Sequence, residues 1–155
     1  IELIKKLMPD AFIGVDVMVG CRGEKPELFE ECRDFLQSLD VTQLHVFPYS
    51  ERPGTMALKI PYIVDEAEKK RRSKQLLDMS EEKRIAFYQK YIGTTADVLF
   101  EKAAKGKAMH GFTDNYVRVE LSATKAREEY DNQIIKVKLL DFNHHKSALK
   151  CEIIG

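Results

Sequence analysis

Residues 11–19, AFIGVDVMV, present apolar side chains to both faces of a strand, interrupted only at Asp16. Such a strand suits a parallel sheet with helices over both faces, not a sheet with one wet side. Upstream, Pro9-Asp10 ends a short opening helix, because proline lacks a backbone donor and bars its predecessor from helical dihedrals. Downstream, Gly20 to Glu24 is a turn, and Leu28, Phe29, Cys32, Phe35, Leu36 and Leu39 recur at helical spacing from Pro26. Glu24 and Glu27 lie near the positive end of that helix. Gln43 to Phe47 is a second short strand, followed by the loop Pro48 to Ile60. The result is a β-α-β unit with parallel strands. Two strands do not complete such a sheet, so further strands are expected upstream of Ile1.

The texture changes twice along the chain. Asp65 to Met79 is a strongly charged helix, and Ser80-Glu81-Glu82 is expected to cap a second one carrying Ile85, Phe87, Tyr88, Tyr91 and Ile92. Lys69-Lys70-Arg71-Arg72 reads either as a solvated helix face or as a basic stripe facing a polyanion. After Gly93, strands are expected at Thr95–Glu101, His110–Leu121, Gln133–Leu140 and Ala148–Ile154. Alternation puts Val117, Val119 and Leu121 on one face and Arg118 on the other. The fold class is therefore α/β plus β: a β/α part, linker helices, and a small closed antiparallel β-barrel of the OB type. The boundaries fall at residues 1–61, 62–92 and 93–155.

Composition narrows the function classes. Lys and Arg number 25 and so do Asp and Glu, so no global field steers the 155-residue chain toward nucleic acid or lipid. No apolar run nears the roughly 20 residues of a bilayer span, and no membrane partner is expected. Cys21, Cys32 and Cys151 form no CxxC pair, which fits free thiols in a reducing cytoplasm better than disulfides or a metal site. His144-His145 reads as a hairpin turn and His45 as a packed or barrel-mouth residue.

Two segments are more specific. One is Asp16-Val17-Met18-Val19-Gly20-Cys21-Arg22-Gly23-Glu24 together with Tyr49-Ser50-Glu51-Arg52-Pro53-Gly54-Thr55-Met56-Ala57; the other is Gly111-Phe112-Thr113-Asp114-Asn115-Tyr116-Val117-Arg118-Val119. In order and spacing they resemble the radical S-adenosylmethionine methylthiotransferases, the MiaB-like enzymes, and most of all the branch acting on N6-threonylcarbamoyladenosine in tRNA. The resemblance covers essentially the whole chain. It implies the C-terminal β/α part of a radical-SAM TIM-type barrel, the linker helices and a TRAM domain. The family's usual Gly-Phe-Pro-Gly-Glu reads Gly-Cys-Arg-Gly-Glu here, so only Gly20, Gly23 and Glu24 carry over.

The resemblance implies S-adenosylmethionine as cofactor and two 4Fe-4S clusters. Their ligands, including the CxxxCxxC motif, lie outside this chain, in an N-terminal part of the same polypeptide. It places no catalytic residue and no metal ligand here, and this part alone is expected to be inactive. The cofactor-lining candidates are Gly20, Gly23, Glu24, Tyr49 and Arg52, in loops at the carboxyl ends of the two strands, where barrels of parallel strands do their chemistry. Gly23-Glu24 could equally turn the chain and cap the next helix, and Arg52 could pair with a barrel-end carboxylate. For tRNA the candidates are Lys105, Lys107, Asn115, Tyr116 and Arg118, cations interleaved with an aromatic ring. Tyr116 and Phe112 also fit a barrel core. Three rival readings stay open: a methylthiotransferase acting on an aspartate of a ribosomal protein, the branch of the same chemistry acting on isopentenyladenosine, and a non-catalytic OB-like RNA-binding module.

Overall fold

The first strand begins later than its apolar run: β1 (Gly14–Val19) pairs in parallel with β2 (Gln43–Pro48), Val15 opposite Leu44 and Met18 opposite Phe47. The structure is a computed structural model that describes residues 1–154, in which the chain divides after Arg84 into two units. In the first unit, α1 (Glu2–Leu7) precedes β1, and α2 (Pro26–Ser38) connects the strands. Pro26 opens α2 at a position whose N–H would have no helical partner anyway.

One face of this sheet makes the core. Val19, Phe29, Leu36, Val41, Leu44, Leu76 and Met79 are buried together, with Val15, Val17 and Val46 packed against them. Burying side chains of this size supplies roughly 1.5–3 kcal/mol each. The other face does not follow the expectation of helices on both sides. Asp16 and His45 are exposed there, and Met18 and Phe47 keep 58% and 52% of their surface. Side chains alternate across a strand, so covering the valine face leaves this one open among the described residues.

The two expected linker helices are one, α3 (Glu66–Gln89), 24 residues long. Its cap is Asp65, whose carboxylate accepts the N–H of Glu68 at 2.8 Å. Ser80 is not a cap but a buried mid-helix residue. Its Oγ accepts the N–H of Leu44 at 2.8 Å and donates to the Leu44 carbonyl at 3.0 Å. Lys83 Nζ donates to the carbonyls of Gln37 and Leu39 at 3.0 and 2.8 Å, closing the C-terminal end of α2.

The second unit is a closed barrel of β3 (Thr95–Phe100), β4 (Met109–Thr113), β5 (Arg118–Leu121), β6 (Ile134–Phe142) and β7 (Leu149–Ile153), ordered β3-β4-β5-β7-β6. Val98, Val117, Val119, Leu121, Val137 and Leu149 fill it with no exposed surface. The barrel is not purely antiparallel, because β5 and β7 run parallel. Alternating directions close a ring only when the strand count is even, and five strands force one parallel pair. The expected single strand His110–Leu121 is a hairpin, β4 and β5 joined by a turn. At its centre Tyr116 takes a φ of 62°, which no strand accommodates.

Candidate functional site

The two loops expected at a cofactor leave the same edge of the sheet, because β1 and β2 are parallel. They are tied to each other. Tyr49 N–H donates to the Val19 carbonyl at 2.8 Å and Gly23 N–H to the Tyr62 carbonyl at 2.9 Å. Arg22 makes the strongest tie: Nε to Glu51 Oε1 at 2.7 Å, and Nη1 to the carbonyls of Leu58 and Ile60 at 2.8 and 3.2 Å. Sequence reasoning set Arg22 aside because it departs from the family's usual motif. A lone arginine between two glycines carries no local sign of a partner 29 residues on.

Beneath the first loop is a buried ion-pair network. Arg72 has no exposed surface. Its Nη1 donates to the Glu24 carbonyl at 2.8 Å and to Glu24 Oε2 at 3.1 Å, and its Nε donates to Glu68 Oε1 at 2.7 Å. The guanidinium carbon sits 5.0 Å from the centre of the Phe29 ring, within cation–π range. Glu24 also accepts the N–H of Gly20. Its carboxylate thus closes its own loop from inside and is largely engaged before any ligand arrives. Glu68 is held down at a pKa of about 2 by hydrogen bonds from Arg71 and then Arg72.

Gly20 has a φ of 78°, and a Cβ there would lie 2.4 Å from Cγ of Lys69. Glycine is required at this position by the backbone and by the packed lysine. Lys69, 6% exposed, pairs with Glu66 at 2.7 Å and lies 5.8 Å from the centre of the Tyr49 ring. Neither reading of the basic run 69–72 describes it: Lys69 and Arg72 are buried and paired, while Lys70 and Arg71 are exposed. The run lies on a helix packed against the first unit, so its four cations point in different directions.

A hollow of about 430 Å³ opens at the strand ends, lined by Met18, Phe47, Tyr49, Ser50, Arg52 and Thr55 among others. It combines an aromatic and aliphatic floor with two hydroxyls and an exposed guanidinium, groups that can stack against a flat ring and hold an anionic substituent. The structure brings Tyr49 and Arg52 to this hollow, and it places Gly20, Gly23 and Glu24 in the neighbouring loop. The three cysteines are free. Among the described residues no cluster of His, Cys, Asp and Glu is built to hold a metal.

In the barrel, the RNA candidates fall into two groups. Lys105 and Lys107 line a cleft of about 530 Å³ with Lys102, Arg127, Met109, Ala126, Glu128 and Asp131 among its walls. Asn115 and Tyr116 are in the β4–β5 turn, and Arg118 is the first residue of β5, facing outward as its alternation with Val117 and Val119 requires. Phe112 also faces outward, with its ring centre 5.9 Å from that of Tyr116. Neither ring is in the barrel core.

No family model matches the chain. It is 34% identical over 141 residues to the threonylcarbamoyladenosine tRNA methylthiotransferase MtaB of Bacillus subtilis, covering 88% of this chain and 31% of that protein. It is 32% identical over 144 residues to the tRNA-2-methylthio-N(6)-dimethylallyladenosine synthase of Ehrlichia chaffeensis, 91% of this chain and 32% of that protein. Against the MtaB protein of Aquifex aeolicus it is 32% identical over 125 residues, 81% of this chain and 29% of that protein. The chain spans about a third of the length of these curated relatives. It belongs to the radical S-adenosylmethionine methylthiotransferase family. No helix among the described residues is long and apolar enough to cross a membrane.

Proposed function

We propose that the protein containing this chain is a cytoplasmic tRNA methylthiotransferase that modifies C2 of N6-threonylcarbamoyladenosine next to the anticodon. Residues 1–61 would be the last part of its radical-SAM barrel, residues 62–92 the linker and residues 93–155 a TRAM domain. The observation that carries the reading is the joining of two features in one chain. A parallel strand pair gathers two interlocked loops around an aromatic, cationic hollow, and an OB-like barrel presents outward rings and cations.

S-adenosylmethionine, with the two 4Fe-4S clusters held by the N-terminal part of the polypeptide, would supply the radical chemistry. The residues of this chain bind and orient. Tyr49 offers a ring to the nucleoside, Arg52 a fork to a carboxylate or phosphate, and Gly20, Gly23 and Glu24 fix the loop that borders them. Lys105, Lys107, Asn115, Tyr116 and Arg118 hold the tRNA. Similarity to a threonylcarbamoyladenosine enzyme and to a dimethylallyladenosine synthase supports tRNA as substrate over a ribosomal-protein aspartate.

The test is to incubate the full-length, cluster-reconstituted protein with S-adenosylmethionine and tRNA from a strain lacking the modification, then analyse the nucleosides by mass spectrometry. A methylthio group on N6-threonylcarbamoyladenosine is the expected result. Modification of dimethylallyladenosine alone would assign the other tRNA branch. Modification of a ribosomal protein, or RNA binding with no modification at all, would overturn the reading.

A further inference from the structure

The β4–β5 turn holds a bulky residue against its backbone preference. Tyr116 sits at φ 62°, a left-handed conformation that glycine and asparagine adopt readily and aromatic residues rarely do. Hydrogen bonds fix the turn. Tyr116 N–H donates to the Thr113 carbonyl at 3.1 Å, Thr113 N–H to the Val117 carbonyl at 3.1 Å, and Val117 N–H to Thr113 Oγ1 at 2.9 Å. Thr113 Oγ1 donates in turn to Asn115 Oδ1 at 2.7 Å, and the Tyr88 hydroxyl to the Tyr116 carbonyl at 3.4 Å. The ring gains little burial in return, for the residue keeps 64% of its surface exposed. Strain of this kind persists where the surroundings over-determine it, and it gathers at functional positions.

The register extends the feature across the outside of the barrel. Phe112, whose ring is tilted 50° to that of Tyr116, is opposite Leu99 on β3, and Leu99 is opposite Ile134 on β6. Leu99 and Ile134 keep 45% and 70% of their surface, although both are large apolar residues. With Asp97, Thr113, Asp114 and Tyr116 they wall a hollow of about 400 Å³. Asp97 is neutralised by Lys136 at 3.0 Å, which leaves Asp114 as the acid at the rim. On the other side Phe112 is opposite Arg118, whose Nε is buried with no hydrogen-bond partner.

We propose that this face binds one unstacked base of a single-stranded RNA segment, laid against Tyr116 and Phe112, with Arg118 donating to its edge or to the adjoining phosphate. The inference rests on the RNA reading above and deepens it by naming the contact. The exposed Tyr116 ring beside the half-buried Phe112 ring, an aliphatic wall and the outward-facing Arg118 suit a group that is flat, apolar on its faces and rich in acceptors at its rim. A polypeptide could also meet the apolar wall and the donor, but the pair of adjacent rings is better used by a flat base that stacks on them.

The test uses the full-length protein and an anticodon stem-loop RNA carrying 2-aminopurine at successive loop positions, with binding read by anisotropy and stacking by fluorescence quenching. Tyr116→Gly relieves the backbone and should leave thermal stability unchanged or raised, while weakening RNA binding roughly 5- to 100-fold and abolishing quenching at one loop position. Tyr116→Phe keeps the ring and should bind within roughly twofold of wild type. If Tyr116→Gly binds RNA as tightly as wild type, with the same quenching, the inference fails while the RNA reading stands. Lowered stability in Tyr116→Gly would mean that the ring supports the fold, and would also sink the inference. Absence of RNA binding by the wild type would overturn both readings and turn attention to a protein partner for this face.

Discussion

Arg72 and Glu24 are 48 positions apart, yet one guanidinium nitrogen reaches both the carbonyl of Glu24, at 2.8 Å, and its carboxylate, at 3.1 Å. Since Glu24 also accepts the N–H of Gly20, the loop at the end of β1 is held from below by a residue of α3. The shape of a candidate cofactor loop is therefore set in part by α3, a helix far along the chain, and not by the loop residues alone.

Arg72→Met should cost about 1–3 kcal/mol of stability, because it leaves the half-buried carboxylates of Glu24 and Glu68 and the Glu24 carbonyl without their donor. Urea denaturation of the chain measures it, and faster amide exchange at Gly20 should accompany the loss. Arg72→Lys should recover little, since one ammonium cannot reproduce the fork that serves Glu24 and Glu68 together.

Glu68 gives a pH dependence with a definite sign. Its carboxyl titrates at about 2 in the folded chain, against an ordinary value near 4.5, owing to Arg71 and Arg72. A group depressed by folding stabilises the fold at pH values above its unfolded pKa, and that contribution drains away as pH falls from about 4.5 toward 2. Thermal melts across this window should show a fall that Glu68→Gln reduces. An identical slope in the variant would count against the network.

The thiols should separate by reactivity. Burial pushes Cys151 up to about 12, and burial followed by Glu24 raises both Cys21 and Cys32. Alkylation at neutral pH should reach exposed Cys32 first and Cys21 more slowly, with Cys151 modified only on unfolding. Peptide mapping over time distinguishes the three.

Gly111→Ala tests the barrel. A Cβ at this position would lie 2.5 Å from the Leu99 carbonyl oxygen and 2.7 Å from Val98 Cγ1. Backbone at the contact cannot swing aside, so a loss of about 2 kcal/mol is expected from crowding between β3 and β4. A melting temperature equal to that of wild type would contradict the close approach.

Much of this architecture was legible in the sequence, and the exceptions have a common cause. Alternation from Val117 to Leu121 reports which face of the strand is buried, and it appears as expected. Helical spacing from Leu28 to Leu39 finds the helix but overstates its buried face: Phe29 and Leu36 are buried, whereas Leu28, Cys32 and Phe35 are exposed. What a local pattern cannot report is the partner of a polar residue. Ser80 reads as a cap because serine is a good one, yet its hydroxyl serves Leu44, 36 positions away. Arg72 and Lys69 read as surface charge until α3 is packed. The β4–β5 turn was missed because its left-handed position carries tyrosine where glycine would have announced it. In the candidate site, the hollow at Tyr49 and Arg52 follows from two parallel strands, whereas the Arg22 tie between the loops becomes visible only in three dimensions.

Ser80 gives the small sheet a direction. By taking both backbone groups of Leu44, its hydroxyl occupies positions on β2 where the ladder of another strand would form. At Leu44 the outer edge of β2 is therefore closed to a neighbouring strand, and the edge of β1 is the one left for the sheet to grow from.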